Sequence, residues 1–316
     1  MAGKFVISLD FELHWGGAEV WDLITMKNYF LNARSSIPSI LNLFKENNVR
    51  ATWATVGFLF AKDKKQLLQF SPELKPSYRN SKLSYYNYFH IVGENEKNDP
   101  FHYGGSLIEK IISTNGQELG THTFSHYYCN EEGQSVKEFE ADLLAAQSIS
   151  KENFGVNLKS LVFPRNQYNN LYLDVVRRLD IAVVRSNPDV WFWKKSYGKV
   201  TSLLRAIDTL YPISNSLTFN EAKIVKEEVV ELPASRFFRP YSIREKLIQH
   251  LKIERIKSEM LYAAQSNRCY HLWWHPHNFG VYPQENISQL KEIIIFYNHL
   301  NKKYGFQSKN MSDYIE

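Results

Sequence analysis

Phe5-Val6-Ile7-Ser8-Leu9-Asp10-Phe11-Glu12 opens the chain with a short apolar run that ends in two carboxylates. Phe5 to Asp10 reads as a β-strand, too short and too β-branched for a helix. Asp10 and Glu12 stand two apart, so on a strand both side chains point the same way. Burying two carboxylates side by side is costly unless a cation or a shared proton intervenes. That cost points to metal binding or catalysis. The other reading places Glu12 beyond the strand, solvated in a loop.

Outward from this strand, short apolar runs alternate with amphipathic stretches, the pattern of a parallel α/β sheet or barrel. A helix is expected at 35–48 with Ser36 as its cap, a strand at Ala51–Val56 and a helix at 58–70. Residues 71–104, rich in Tyr, Asn, Ser and Lys, break the rhythm and read as a long insertion. A helix at 105–114 and a strand at Glu118–His122 follow. Ser135 and Glu138 form a capping-box signature for a helix running to about 152. Strand Ser160–Phe163, helix 170–179 and strand Ile181–Val184 precede a second insertion at 186–225. Strand Val229–Leu232, helix 242–264, strand Cys269–Trp274 and helix 285–303 complete the chain. Seven strands without a repeat or a Gly/Ser linker predict one barrel-like α/β domain spanning 1–316.

Chemistry gathers at the strand ends. Asp10 and Glu12 follow the first strand, His122 and His126 that at 118, Arg165 that at 160, and His275 that at 269. In a parallel barrel all those ends open onto one face. His122 and His126, four apart, converge on one ion from a helical turn or a tight loop. His271, Trp273 and His275 share one face of their strand.

Ser8-Leu9-Asp10-Phe11-Glu12, His122-x-x-x-His126, Phe163-Pro164-Arg165 and Leu272-Trp273-Trp274-His275, in this order, resemble the motif set of the polysaccharide deacetylases, carbohydrate esterase family 4. Ala51-Thr52-Trp53-Ala54 resembles that family's second strand. The resemblance implies a distorted, seven-stranded (β/α) barrel. It implies a hydrolase that removes an N-acetyl group from a sugar or polysaccharide precursor, using a divalent metal ion, expected to be Zn2+. His122 and His126 carry over as ligands and His275 as general acid. The family has adjacent Asp residues where this chain has Asp10-Phe11; Asp10 is therefore assigned as base and Glu12 as third ligand, with the roles open to exchange. Arg165 is expected to pair with the catalytic carboxylate, although Pro164-Arg165-Asn166-Gln167-Tyr168 replaces the family's Arg-x-Pro-Tyr order. Two other readings stand beside this one: an amidase acting on a non-sugar C–N bond, and a catalytically silent glycan-binding protein.

Composition sets the remaining bounds. Charged residues at 22% and apolar residues at 44% exclude disordered and collagen-like classes. The net charge of +5 is scattered without a basic run, which argues against nucleic acid as partner. No stretch is long enough to span a membrane, and the five-residue apolar run at the N-terminus is too short for a signal peptide. A cytoplasmic protein acting on a carbohydrate precursor of a cell-surface polysaccharide is the expectation. Aromatics at 15% suit stacking on sugar rings. Cys129 and Cys269 are too few for a disulfide framework and read as small buried residues. His14 and His277 are candidates for supporting the site. Arg236 and Arg239 could meet an anionic part of the substrate, or form a surface pair near a turn.

Overall fold

The computed structural model describes residues 2–315 except 189, 195–198, 210–212, 215 and 227–228. The strands are β1 (Lys4–Phe11), β2 (Ala51–Thr55), β3 (Gln117–Thr121), β4 (Ser160–Leu161), β5 (Val183–Ser186), β6 (Val225–Lys226), β7 (Val230–Pro233), β8 (Arg236–Phe237), β9 (Cys269–Trp274) and β10 (Gln307–Lys309). They form one sheet in the order β6-β7-β5-β4-β3-β2-β1-β9-β8, with β10 also paired to β1. All pairs are parallel except β6–β7 at the edge. β1 is central: its first residues face β10, its last face β2, and its other edge is lined by β9.

β7 lies beside β5 at one end of the sheet, while β8 lies beside β9 at the other, and only Ala234 and Ser235 separate them. Ala234 N–H donates to Ser186 and Ser235 N–H to His271, so this short crossing stitches the two ends together. The sheet thereby curls into a (β/α) barrel, with ten strands among the described residues where seven were expected; the additions are the edge strand β6, the two-residue β8 and the terminal β10. Such pieces are too short to leave a periodic signal.

The helices are α1 (Leu23–Glu46), α2 (Lys64–Phe70), α3 (Gly105–Ser113), α4 (Val136–Phe154), α5 (Asn170–Arg178), α6 (Trp191–Lys194), α7 (Lys199–Asp208), α8 (Gln249–Gln265) and α9 (Pro283–Tyr304). α1 starts well before the expected residue 35. Asp22, accepting from the N–H groups of Ile24 and Thr25, is its true cap, and Ser36 lies inside the helix with its hydroxyl donated to Asn32 O. The Ser135–Glu138 capping box at the start of α4 forms as read. The segment 71–104 carries only short 3-10 turns, yet it packs Tyr85, His102 and Tyr103 completely into the interior. The expected insertion at 186–225 falls partly on residues outside those described; its described part carries α6 and α7. Among the described residues no helix is long and apolar enough to cross a membrane.

Strand alternation sorts β1 cleanly. Phe5, Ile7, Leu9 and Phe11 face the helices and join the large outer core. Val6 faces inward, with Ala54, Val162, Val183, Leu232 and Cys269, and fills the barrel floor. Ser8 and Asp10, on that same inward face, therefore stand above an apolar plug, and the polar chemistry is confined to the mouth. Both cysteines are free and buried.

Candidate metal centre and active site

Glu12, His122 and His126 meet at the mouth, all buried. Glu12 Oε1 is 3.0 Å from His122 Nε2 and 3.2 Å from His126 Nε2. His122 ends up there because β3 delivers it directly, and its Nδ1 lies 2.7 Å from Val162 O. A carbonyl only accepts, so Nδ1 carries the proton and the neutral ring turns the Nε2 lone pair toward Glu12. His126 arrives through a strained loop: Thr123 and His126 have φ of 63° and 59°, unusual for non-glycine residues. Asp142 of α4 holds that loop, accepting from Phe124 N–H at 2.6 Å, Ser125 N–H at 3.1 Å and the Ser125 hydroxyl.

His126 Nδ1 is 3.0 Å from the Tyr128 hydroxyl. Tyr128 in turn meets Tyr85 at 2.9 Å, and Tyr85 donates to Glu19 at 2.5 Å. Since Tyr85 spends its proton on Glu19, Tyr128 donates to Tyr85 and is left to accept from His126 Nδ1–H. The second ring therefore also presents a lone pair. Two lone pairs and a buried carboxylate within 4.8 Å of one another are mutually repulsive without a cation or a shared proton, so this donor set could hold a divalent metal ion. Without an ion the rings can instead take up a second proton: burial alone would raise the Glu12 carboxyl, but as imidazolium groups His275, His122 and His126 outweigh it and hold it well below the ordinary range. Burial pushes the His126 ring down against the pull of Glu12.

Asp10, on β1, sits deeper than Glu12, which directly follows the strand. Arg185, at the end of β5, donates to Asp10 Oδ1 at 2.6 Å and Oδ2 at 2.8 Å. The same guanidinium reaches Ser8 Oγ and Asn166 Oδ1, and lies 4.3 Å over the Trp273 ring. Burial would raise the Asp10 carboxyl, but Arg185, then His122 and His275, more than compensate and keep it below its ordinary value. His275 Nε2 stands 3.6 Å from Asp10 Oδ2 and 3.9 Å from Glu12 Oε1. Its side chain is 26% exposed, against 3% and 4% for those two carboxylates, so it is the group that a substrate meets. Asn278 Nδ2 donates to His275 Nδ1 at 3.3 Å, and Tyr29 O–H holds the Asn278 oxygen at 3.4 Å. That orientation leaves the ring proton on Nε2, facing the carboxylates.

Asp10, Glu12, His126, His275 and Asn278 line an open cavity of about 480 Å3, together with Trp21, Arg165, Asn166, Trp193, Arg205, Phe237, Trp273 and His277; His122 and Arg185 stand behind this lining. A family model described as polysaccharide deacetylase matches residues 28–184, the stretch that holds the His122–His126 pair. Over that stretch the chain is similar to the polysaccharide deacetylase family. Solved structures with the same fold include a Mycobacterium smegmatis protein assigned to the polysaccharide deacetylases, with TM-score 0.62 and 12% identity over 99% of this chain and 89% of that one. A probable polysaccharide deacetylase from Pseudomonas aeruginosa gives TM-score 0.57 and 11% identity over 98% and 88%. A GH57-type branching enzyme from Pyrococcus horikoshii gives 0.55 and 13% over 100% and 70%. At such identities the likeness is one of fold. No curated protein matches the chain.

The structure corrects one expected pairing. Arg165 reaches the mouth, but with φ 53° it turns away from Asp10, donating to Glu19 at 2.5 Å and lying 4.1 Å over Tyr128. Arg185 holds the carboxylate instead. Arg185 was legible in principle: it alternates with Val183 on the inward face and ends a strand, as the other site residues do. His277 packs against Glu12, 3.5 Å from Oε2, and burial pushes its ring down to about 3. His14 turns elsewhere, to His102 at 2.9 Å and Trp21 O at 2.9 Å. Arg236 is buried and bonded to both Glu259 oxygens and to Asp208, and Arg239 is paired with Glu245.

Proposed function

We propose that the protein is a metal-dependent deacetylase that removes an N-acetyl group from a sugar or polysaccharide precursor. The observation that carries this reading is the meeting, at the mouth of one open cavity, of the Glu12–His122–His126 set with an ionised Asp10 and with His275. Glu12, His122 and His126 would hold the cation, with zinc favoured by the mixed N/O donors. When bound, the ion supplies Lewis acidity to the acetamide oxygen and to a water.

The residues supply the rest. Asp10, kept ionised by Arg185, takes the proton of the attacking water as general base. Its two-point grip on Arg185 fixes the carboxylate before substrate arrives, so little reorganisation is needed during the reaction. His275 acts as general acid in its imidazolium form: its Nε2 proton goes to the departing sugar amine and the neutral ring remains. Asn166 offers its amide N–H groups at the cavity wall, with its oxygen already committed to Arg185. Trp21, Trp193, Phe237 and Trp273 provide flat faces for sugar rings.

The test is metal content of the purified protein, with acetate release from N-acetylhexosamines before and after chelation. About one divalent ion per chain and chelator-sensitive acetate release is the expected result. A protein without metal that still cleaves an amide would overturn the ligand set. A carbohydrate precursor of a surface polysaccharide, handled in the cytoplasm, is the setting we propose for it.

A further inference from the structure

Beside the catalytic cavity lies a second recess of about 260 Å3. The two share Trp193, Arg205, Phe237, Trp273 and His275 as walls, so the recess begins where the acetamide chemistry ends. Three arginines line it. Arg236 and Arg239 are spoken for: Glu259 and Asp208 neutralise the first, Glu245 the second. Asp208, the acidic residue in the wall, is itself engaged by Arg236 and by the Ser214 N–H and hydroxyl.

Arg205 differs. Its Nε donates to Phe192 O at 3.0 Å and its guanidinium lies 4.2 Å over the Trp193 ring. Among the described residues it has no carboxylate partner. Burial alone acts on it, pulling its pKa below the ordinary value. A half-buried cation left uncompensated is an unfavourable arrangement unless something supplies the counter-charge. The stack on Trp193 and the bond to Phe192 fix the plane of the guanidinium, which leaves both terminal nitrogens free to bind an anion side-on.

We propose that this recess is an anion subsite, in which Arg205 receives a phosphate or carboxylate carried by the same N-acetylated sugar whose acetamide lies at Asp10, Glu12 and His275. The proposal rests on the deacetylase reading for the identity of the sugar. The aromatic walls stack on the intervening ring, and the fixed guanidinium forms paired charge-assisted hydrogen bonds to the anion. The substrate class is thus an acidic N-acetylated sugar rather than a neutral glycan.

The experiment compares acetate release from a neutral methyl glycoside of N-acetylglucosamine, from N-acetylglucosamine 1-phosphate and from N-acetylglucosaminuronic acid. The metal-loaded protein is used throughout. At least one charged sugar should exceed the neutral one by about tenfold or more in kcat/KM. Which one it is identifies phosphate or carboxylate as the anion. Arg205→Gln should shrink that ratio by about tenfold, and Arg205→Lys should retain part of it. A change that was merely structural would lower all substrates together and leave the ratio standing. A wild-type ratio near one, or an unchanged ratio in Arg205→Gln, overturns the subsite. Should no sugar yield acetate, the deacetylase reading fails separately, and calorimetric titration with the two charged sugars decides the subsite alone. Binding weakened about tenfold by Arg205→Gln supports it, while absent or unaltered binding overturns it.

Discussion

Arg185 closes on Asp10 with both terminal nitrogens, at 2.6 and 2.8 Å, and both side chains are almost wholly removed from water. Deleting one member of such a pair strands the other. Arg185→Met should therefore destabilise the protein by about 3–5 kcal/mol and lower kcat by about 100-fold or more. Arg165→Met removes a pair with Glu19 whose arginine is 41% exposed, and should cost no more than about 1 kcal/mol. Urea denaturation and acetate-release rates on the two variants check the ranking; equal losses would return Arg165 to the role expected from its motif.

The ligand set predicts a split between binding and turnover. His122→Ala and His126→Ala should each weaken metal binding by more than about 100-fold, while His275→Ala should keep its metal and lose about 100-fold or more in kcat. Elemental analysis after dialysis, paired with rates, reads both quantities. Normal metal content in all three variants would refute the assignment.

Gly16 offers a way to disturb the centre without touching a ligand. A Cβ at that position would run into the Glu12 carboxylate, so the glycine exists to let the chain pass close to it. Gly16→Ala should displace Glu12, weaken the metal by about tenfold or more and leave the far-ultraviolet circular dichroism unchanged. A competitive chelator titration measures it.

Asp142 predicts a pH signature in stability. Burial raises its carboxyl to about 6 from the ordinary 3.8, against the pull of the Ser125 hydroxyl and the Phe124 and Ser125 N–H groups. The folded state thus holds this proton more tightly than the unfolded chain does. The associated stability is fully present below pH 3.8 and is lost as pH rises through 6. Asp142→Asn lacks that dependence. Between about pH 4 and pH 8 the difference in unfolding free energy should therefore move in the variant's favour, by up to about 3 kcal/mol. Urea midpoints for both proteins at several pH values read it; a constant gap would place the folded-state pKa of Asp142 near its unfolded value.

Much of this centre was readable in the chain because its residues obey a simple rule, polar groups at the ends of apolar runs. Asp10, Glu12, His122, His126 and His275 all follow it, and the barrel brings them to one mouth. What escaped the reading depends on contacts without local period. Arg185 directly follows the strand as read, Ile181–Val184, and the expected insertion from 186 on obscured it. Arg165 has the right motif neighbours, but its backbone turns into the left-handed region, which no pattern of side chains announces. The start of α1 was missed because Asp22 caps a first turn whose residues, Leu23-Ile24-Thr25-Met26, show no helical period. The sequence offered Arg236 and Arg239 for an anion; it could not show that Arg236 is silenced by Asp208 and Glu259, which are distant in the chain, or that Arg239 folds back onto Glu245 six residues on.

The segment 71–104 looks, as sequence, like something that could be cut out. Yet Tyr85 lies parallel to the His126 ring with 5.6 Å between centroids, the Tyr78 hydroxyl accepts from Tyr128 N–H, and His102 joins Asp99 to His14. The apparent ornament is a wall of the chamber that holds Glu12, His122 and His126. A version trimmed to the bare barrel would leave one ring of the centre without backing and would open the chamber to water. Exchanging such segments between relatives to alter substrate choice would accordingly have to move the insertion and the 122–128 loop together, as one inherited block.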